Sequence, residues 1–295
     1  MSRYIITGAT GYIGSNIVKA LINNGDEVNI IVRPNSKLNI LESVITKVNI
    51  FVFKGEIETL IKFFKPLNNA MVIHLGSFFI AEHKTSDLEN LIDSNIKFGV
   101  QILEAMKETG IKYFINTGTS WQHYENSIYN PVCLYAATKE AFEKIIKYYY
   151  ECHGIKSITL ELFDTYGPDD SRPKLLNLLS EYSKESKVLN MSPGEQKLDL
   201  VYIDDVVDGY LLACDMMKKE AIGSCEKFVL SSGYRITLKE LIILYEQITN
   251  HKVTIMWGER TYRNREVMTP WEHGTILPGW KIKVGLLEGL AKSFK

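Results

Sequence analysis

An α/β fold, a doubly wound parallel sheet with a smaller C-terminal lobe, is predicted by three observations. Short apolar runs alternate with amphipathic helical patterns over the first half of the chain, a glycine-rich turn joins the first run to the first helix, and the texture changes after about residue 165. Runs rich in Ile, Val, Phe or Leu at 3–7, 27–32, 49–54, 70–75, 111–117 and 156–162 read as strands buried on both faces. The clearest helices between them are 11–24, 87–109 and 134–153. Beyond the turn cluster Tyr166-Gly167-Pro168-Asp169-Asp170 a helix near 173–184 is expected. Shorter elements follow, separated by Ser192-Pro193-Gly194, Ser231-Ser232-Gly233 and Pro278-Gly279. The expected division is 1–165 and 166–295, with some later elements free to return to the first domain. No internal repeat or low-complexity linker is present.

The first strand ends in Gly8-Ala9-Thr10-Gly11-Tyr12-Ile13-Gly14. Strand, glycine turn and helix in that order form a phosphate cradle. Gly8 allows a sharp turn, Gly11 lets backbone approach a pyrophosphate, and Gly14 lets the helix lie close to the strand, with its N–H groups and positive dipole end facing the anion. The sheet is therefore expected to be Rossmann-like, with ligands beyond the carboxyl ends of its strands. After the second strand comes Arg33, with Ser36 and Lys37 behind it, where an NAD site usually places an acid. A guanidinium pairs with a 2′-phosphate that a carboxylate would repel, so NADP(H) is expected, with NAD(H) as the alternative. Glu56 and Ile57 after the third strand are candidates to flank the adenine. Leu75, Gly76 and Ser77 after the fourth are candidates for the crossing of the dinucleotide, and His74 reads as a core histidine.

The fifth strand ends in Asn116-Thr117-Gly118-Thr119-Ser120, and the next long helix carries Tyr135-Ala136-Ala137-Thr138-Lys139. Residues at i and i+4 share a helix face, about 5–6 Å apart at Cβ. An ammonium there favours phenolate, drawing a phenol of ordinary pKa ~10 toward neutrality. Of 16 tyrosines only Tyr135 has a lysine four residues on. A hydroxyl from Thr119 or Ser120 is a candidate to hold the reacting carbonyl oxygen beside it.

Composition limits the alternatives. With 45% hydrophobic residues among 295, the chain can bury a large core. Its 34 basic and 35 acidic residues leave a formal charge of −1, with no long block of either sign, so neither nucleic acid nor an anionic membrane is an expected partner. An opening strand by Tyr4 leaves no room for a leader, no apolar stretch reaches membrane-spanning length, and a cytoplasmic location is expected. Cys133, Cys152, Cys214 and Cys225 have no CxxC pairing and are expected to be reduced and mostly buried; no metal site is expected.

These motifs together resemble the extended short-chain dehydrogenase/reductases that act on nucleotide sugars. The resemblance runs through the glycine loop, His74-Leu75, Asn95, Thr119, Tyr135 to Lys139, Tyr166-Gly167-Pro168 and Tyr202-Ile203-Asp204-Asp205-Val206. It implies that Tyr135 is the proton donor or acceptor, that Lys139 binds the nicotinamide ribose, and that Thr119 orients the substrate oxygen, with Ser120 as the fallback. It also places Asn95 and Thr117 in the cofactor site. The segments Gly118-Thr119-Ser120, Leu134-Tyr135-Ala136 and Arg263-Asn264-Arg265-Glu266-Val267-Met268 look most like the CDP-paratose and CDP-abequose synthases, which reduce a 4-keto group of a nucleotide-linked deoxysugar with NADPH. Three departures stand out. Leu198 replaces an arginine that many relatives carry, leaving Lys197 or Arg263 to grip the diphosphate, and Asp164 replaces a common asparagine. Ser120 and Trp121 stand where dehydratases have an Asp-Glu pair, which disfavours elimination of water.

The leading expectation is thus an NADPH-dependent nucleotide-sugar ketoreductase. A nucleotide-sugar epimerase that retains NAD is the first rival, and a dinucleotide-sensing binding protein is a rival of another class. Trp121 is a candidate for the sugar pocket, and Phe78-Phe79 for the core or the cleft wall. Trp257 and Trp271 bracket the arginine-rich turn, while Trp280 reads as packing. Tyr148-Tyr149-Tyr150 reads as packing and as part of a homodimer interface, which the resemblance places on helices 87–109 and 134–153.

Overall fold

The computed structural model describes residues 1–185, 187–219 and 225–294. Strand β1 (Arg3–Thr7) is followed by helix α1 (Tyr12–Asn23), β2 (Glu27–Val32), β3 (Val48–Val52), α2 (Ile57–Phe64) and β4 (Met71–His74). Then come α3 (Leu88–Ile92), α4 (Phe98–Thr109), β5 (Tyr113–Thr119), α5 (Leu134–His153), β6 (Lys156–Leu162) and β7 (Asp164–Tyr166). The later elements are α6 (Leu175–Glu185), β8 (Val188–Met191), β9 (Lys197–Tyr202), α7 (Ile203–Lys218), β10 (Cys225–Leu230), β11 (Arg235–Thr237), α8 (Leu238–Thr249), β12 (Thr254–Trp257) and α9 (Leu286–Phe294).

Seven strands form one sheet in the order β10-β6-β5-β4-β1-β2-β3. The pairs β1–β2, β1–β4, β2–β3 and β4–β5 are parallel, which the crossover connections between them allow. Ile5, Val72 and Phe114 on three neighbouring strands pack with Phe64, Ile102, Met106, Phe142 and Ile146 from the covering helices, all at most 1% exposed. Burial on both faces explains why these strands read as apolar runs rather than alternations. The Rossmann-like fold class is therefore the observed one. One expected element is interrupted: between α3 and α4 the turn Asp93–Lys97 widens to π geometry, splitting the helix at 87–109.

The chain forms two compact units that alternate along the sequence. The first comprises Met1–Thr119, Cys133–Glu161 and Val207–Phe228, and the second comprises Ser120–Val132, Leu162–Val206 and Val229–Lys295. In the second unit β11, β9 and β7 make a small sheet, and β12 pairs parallel with β8. Its turns fall at the punctuation read from sequence, with Gly194, Gly233 and Gly279 all at positive φ. Trp280 packs there, its indole N–H donating to the Asp205 carbonyl at 2.8 Å.

The cysteines depart from expectation. All four are free, yet only Cys214 is buried; Cys133 is half-buried, and Cys152 and Cys225 are exposed at the last turn of α5 and the first residue of β10. Element ends meet solvent even where element middles do not, and periodicity does not separate the two. No described helix is long and apolar enough to cross a membrane, and no described group of His, Cys, Asp and Glu could hold a metal ion.

Candidate active site

The glycine loop works by backbone proximity. Gly8 has φ +69°, and a Cβ there would lie 2.7 Å from the Gly76 nitrogen and the Leu75 carbonyl carbon. A Cβ on Gly14 would lie 2.2 Å from the Gly8 oxygen, so only glycine lets α1 start this close to β1. Gly11 precedes α1 in extended conformation and is exposed, with no side chain capping the free N–H groups. Donors left open at a helix start suit an anion.

A cleft of about 470 Å³ opens over this loop within the first unit. Eight expected cofactor residues line it: Gly8, Thr10, Gly11, Arg33, Ser36, Leu75, Gly76 and Ser77. The cradle, the open helix start and a cleft of this size fit a dinucleotide. Arg33 is exposed on the cleft wall, its N–H donating to the Ser36 hydroxyl at 3.0 Å. Its guanidinium pairs with no carboxylate among the described residues. The lining also includes Phe53, Gly55, Asp93, Lys97, Phe98 and Gln101. Sequence reasoning missed these because they come together only when α4 packs over the loop after β3. Gln101 donates to the Gly55 carbonyl at 2.9 Å, and the Phe53 and Phe98 rings lie 5.6 Å apart.

Several expected cofactor residues lie elsewhere. Lys37, Glu56 and Ile57 do not line the cleft; Glu56 and Ile57 start α2, and Phe53, Gly55 and Phe98 take the wall they were expected to form. Tyr12 is 5% exposed and Ile13 half-buried, both on the helix side of the loop. Thr117 is buried, donating to the His74 carbonyl at 2.9 Å and sharing a 2.7 Å hydrogen bond with the Tyr210 hydroxyl. Asn95, 2% exposed, accepts from the Phe78 N–H (2.7 Å) and donates to the Phe78 carbonyl (3.1 Å) and to Thr138 Oγ1 (2.9 Å). Both of its amide hydrogens are thereby committed to protein, so it ties the loop after β4 to α5 instead of reaching into the cleft.

Tyr135 and Lys139 share one face of α5, with Lys139 Nζ 5.8 Å from the phenol centroid. Both are buried, at 9% and 3% exposure. Ser77, which lines the cleft, is among the side chains that influence the Tyr135 hydroxyl, and Phe79 sets its ring edge-on to Tyr135 at 5.0 Å. Phe79 is half-exposed, so it is not a core residue. The expected lowering of the phenol pKa is not observed. Burial is the largest influence on Tyr135 and raises it well above its ordinary value, the Ser77 side chain opposing this in part. Burial likewise lowers Lys139 to about 8. His74 is the core histidine expected: burial, with Lys139 adding repulsion, lowers it to about 3, and Thr7 Oγ1 sits 2.9 Å from its Nδ1. Thr7 Oγ1 also accepts from the Gly76 N–H at 3.0 Å, so this neutral ring helps to fix the cleft floor.

Thr119 ends β5, half-buried, and Ser120 and Trp121 begin the second unit. Within that unit Trp121 lies under the Arg263 guanidinium at 5.0 Å. Arg263 is paired with Glu266, Nη2 to Oε1 at 2.7 Å and Nε to Oε2 at 3.1 Å. Asp164 faces Lys174 at 3.8 Å, and Lys197 is exposed at the start of β9. Trp271 is buried and stacked on His123 at 4.2 Å, whereas Trp257 is exposed under Lys239.

Residues 4–224 match the model of the NAD dependent epimerase/dehydratase family. The chain is 29% identical over 279 residues to the CDP-abequose synthase of Yersinia pseudotuberculosis, covering 91% of each chain. It is 24% identical to the UDP-glucuronate 4-epimerase of Thermodesulfobacterium geofontis, over 99% of this chain and 95% of that one. Among solved structures it is similar to the UDP-glucose 4-epimerase of Thermotoga maritima with UDP-glucose (TM-score 0.85, 24% identity, 99% and 97% coverage). It is also similar to the UDP-glucuronic acid 4-epimerase of Bacillus cereus in complex with UDP-glucuronic acid and NAD (TM-score 0.84, 23% identity, 99% and 98% coverage). With three quarters of its length matched and its glycine cradle and Tyr135–Lys139 pair in one unit, the chain belongs to the NAD dependent epimerase/dehydratase family.

Proposed function

We propose that the protein is an NADPH-dependent reductase of a keto group, at C4, of a nucleotide-linked deoxysugar. The observation that carries this reading is the buried Tyr135–Lys139 pair on one face of α5, in the same unit as the glycine cradle and its cleft. Gly8 to Gly11 and the start of α1 would hold the pyrophosphate, Arg33 and Ser36 the 2′-phosphate, and Lys139 the nicotinamide ribose. When bound, the nicotinamide supplies the hydride that the carbonyl carbon receives. The raised pKa of Tyr135 keeps Oη protonated at neutral pH, as an acid for a carbonyl oxygen must be. Lys139, an ammonium below pH of about 8, stabilises the phenolate that remains once the proton has moved. Thr119, at the end of β5, would hold the carbonyl oxygen against Tyr135 Oη. The similarity to CDP-abequose synthases supports a CDP-linked substrate.

A nucleotide-sugar 4-epimerase with retained NAD is the second reading, favoured by the similarity to UDP-glucuronate 4-epimerases. The unpaired Arg33 on the cleft wall favours the reductase. A non-catalytic binding protein would have no need of the buried Tyr135–Lys139 pair. A homodimer through α3, α4 and α5 is part of the proposal, supported by exposed Ile92 and Tyr148 and checked by light scattering.

The test is NADPH absorbance on addition of a CDP-linked 4-keto-deoxysugar. A lag-free, substrate-dependent fall is expected, and Tyr135→Phe should cut it by about 100-fold or more while NADPH still binds. Interconversion of UDP-sugars without added reductant, by protein purified with NAD, would replace the reductase with the epimerase.

A further inference from the structure

Helix α5 carries charge beyond its Tyr135–Lys139 pair. One turn on from Lys139, on the same helix face, stands Glu143, whose side chain is 11% exposed. Glu143 meets Lys227 of β10 at 3.1 Å, and Lys227 lies 3.3 Å from Glu161 of β6 and 3.8 Å from Glu140 of α5. Glu140 also pairs with Lys144 at 2.8 Å. All of these groups belong to the first unit. The side chains of Glu140 and Glu161 are 7% and 2% exposed, so water and salt screen little of this charge. Burial works against the charge on Lys227, and the carboxylates more than reverse it, raising its pKa well above the ordinary value.

Lys139 shares Glu143 with Lys227 but has a different balance. Burial lowers it to about 8, and the Glu143 charge opposes that lowering. His74 of β4 and Tyr135 of α5 also bear on Lys139. Burial keeps His74 neutral and Tyr135 protonated at neutral pH, so neither supplies a counter-charge. A cation close to a carboxylate cancels part of its field, so Lys227 limits what reaches Lys139. We propose that Glu143 is a positioning residue for the reaction: its carboxylate keeps Lys139 an ammonium, and Lys227 sets how strongly. The inference rests on the reductase reading above, in which that ammonium stabilises the Tyr135 phenolate.

The test is the pH profile of kcat for NADPH-dependent reduction in wild type, Glu143→Gln, Glu143→Asp and Lys227→Met. Wild-type activity should fall as pH rises through about 8, where Lys139 loses its proton. Glu143→Gln removes the charge that favours the ammonium, so the fall should move to lower pH by about 0.5–2 units, the effect of one charge a helical turn away. Glu143→Asp should keep most of the wild-type position. Lys227→Met leaves the Glu143 charge less neutralised and should move the fall to higher pH. A Glu143→Gln profile at the wild-type position overturns the proposal. So does a Lys227→Met profile that is unchanged or moves to lower pH, which would mark a packing role. Urea midpoints read the same charge without turnover. At pH 7 Glu143→Gln should lower the midpoint more in wild type than in Lys139→Met, and the two losses should become equal near pH 10, where Lys139 is neutral in the folded chain. Equal losses at pH 7 overturn the proposal. If wild type reduces no keto sugar, the reductase reading fails, and the midpoints still decide whether Glu143 holds the charge on Lys139.

Discussion

Lys139 shows what burial does to a single charge. Its pKa is near 8 in the folded chain against an ordinary 10.5, so its contribution to stability is complete above pH 10.5 and is lost as pH falls to about 8. At pH 7 the buried ammonium therefore costs about 3 kcal/mol. Lys139→Met should raise stability at pH 7 by roughly 1–3 kcal/mol in urea denaturation while abolishing turnover; a less stable variant would mean that the ammonium is well solvated. Arg33→Ala should weaken NADPH binding about 10- to 100-fold and leave NADH nearly untouched. Equal changes for both cofactors in a fluorescence titration would remove the 2′-phosphate role. At this scale the Tyr135–Lys139 pair was legible because i and i+4 on a helix is a local relation. The direction of the phenol's shift was not, since the side chains that bury Tyr135, Phe79 among them, lie far along the chain.

Among the elements, the widened turn at Asp93–Lys97 ties several others together. Asn95 holds both backbone groups of Phe78 and the Thr138 hydroxyl, and that hydroxyl donates to the Tyr135 carbonyl at 2.7 Å. The loop after β4 and the first turn of α5 are thus set by one amide. Asn95→Leu leaves part-buried polar groups unpaired and should cost about 2–4 kcal/mol. Turnover should fall as well, although Tyr135, Lys139 and Ser77 are intact. An Asn95→Leu variant with wild-type kcat and an unchanged urea midpoint would remove this tie. Strand positions were readable from apolar runs because both sheet faces are covered. The interruption of 87–109 was not, for the apolar rhythm of Leu91, Ile102 and Met106 continues across it.

For the whole molecule, His74 makes acid stability a property of the sheet core. Its pKa of about 3 lies below the ordinary 6.5, so the unfolded chain binds the proton more readily between these values. Stability held above pH 6.5 is lost as pH falls toward 3, by about 3 kcal/mol at pH 4 from this group. His74→Phe should flatten that part of the profile in denaturation midpoints between pH 4 and 7; an unchanged slope would assign the acid sensitivity to other groups. The fold class was visible at this scale from the alternation of runs and helices. The return of later elements to the first unit was left open, but nothing in composition singles out 207–228 for it or marks 120–132 as belonging with distant segments.

The order of synthesis matters for a chain built this way. Tyr4, in the first strand to be made, is bonded by Lys218 at 2.6 Å across 214 residues, and Thr117 is capped by Tyr210. The first unit therefore cannot complete its core until α7 has left the ribosome, and a gene fragment ending near residue 165 would encode an unfinished sheet rather than a free-standing dinucleotide module.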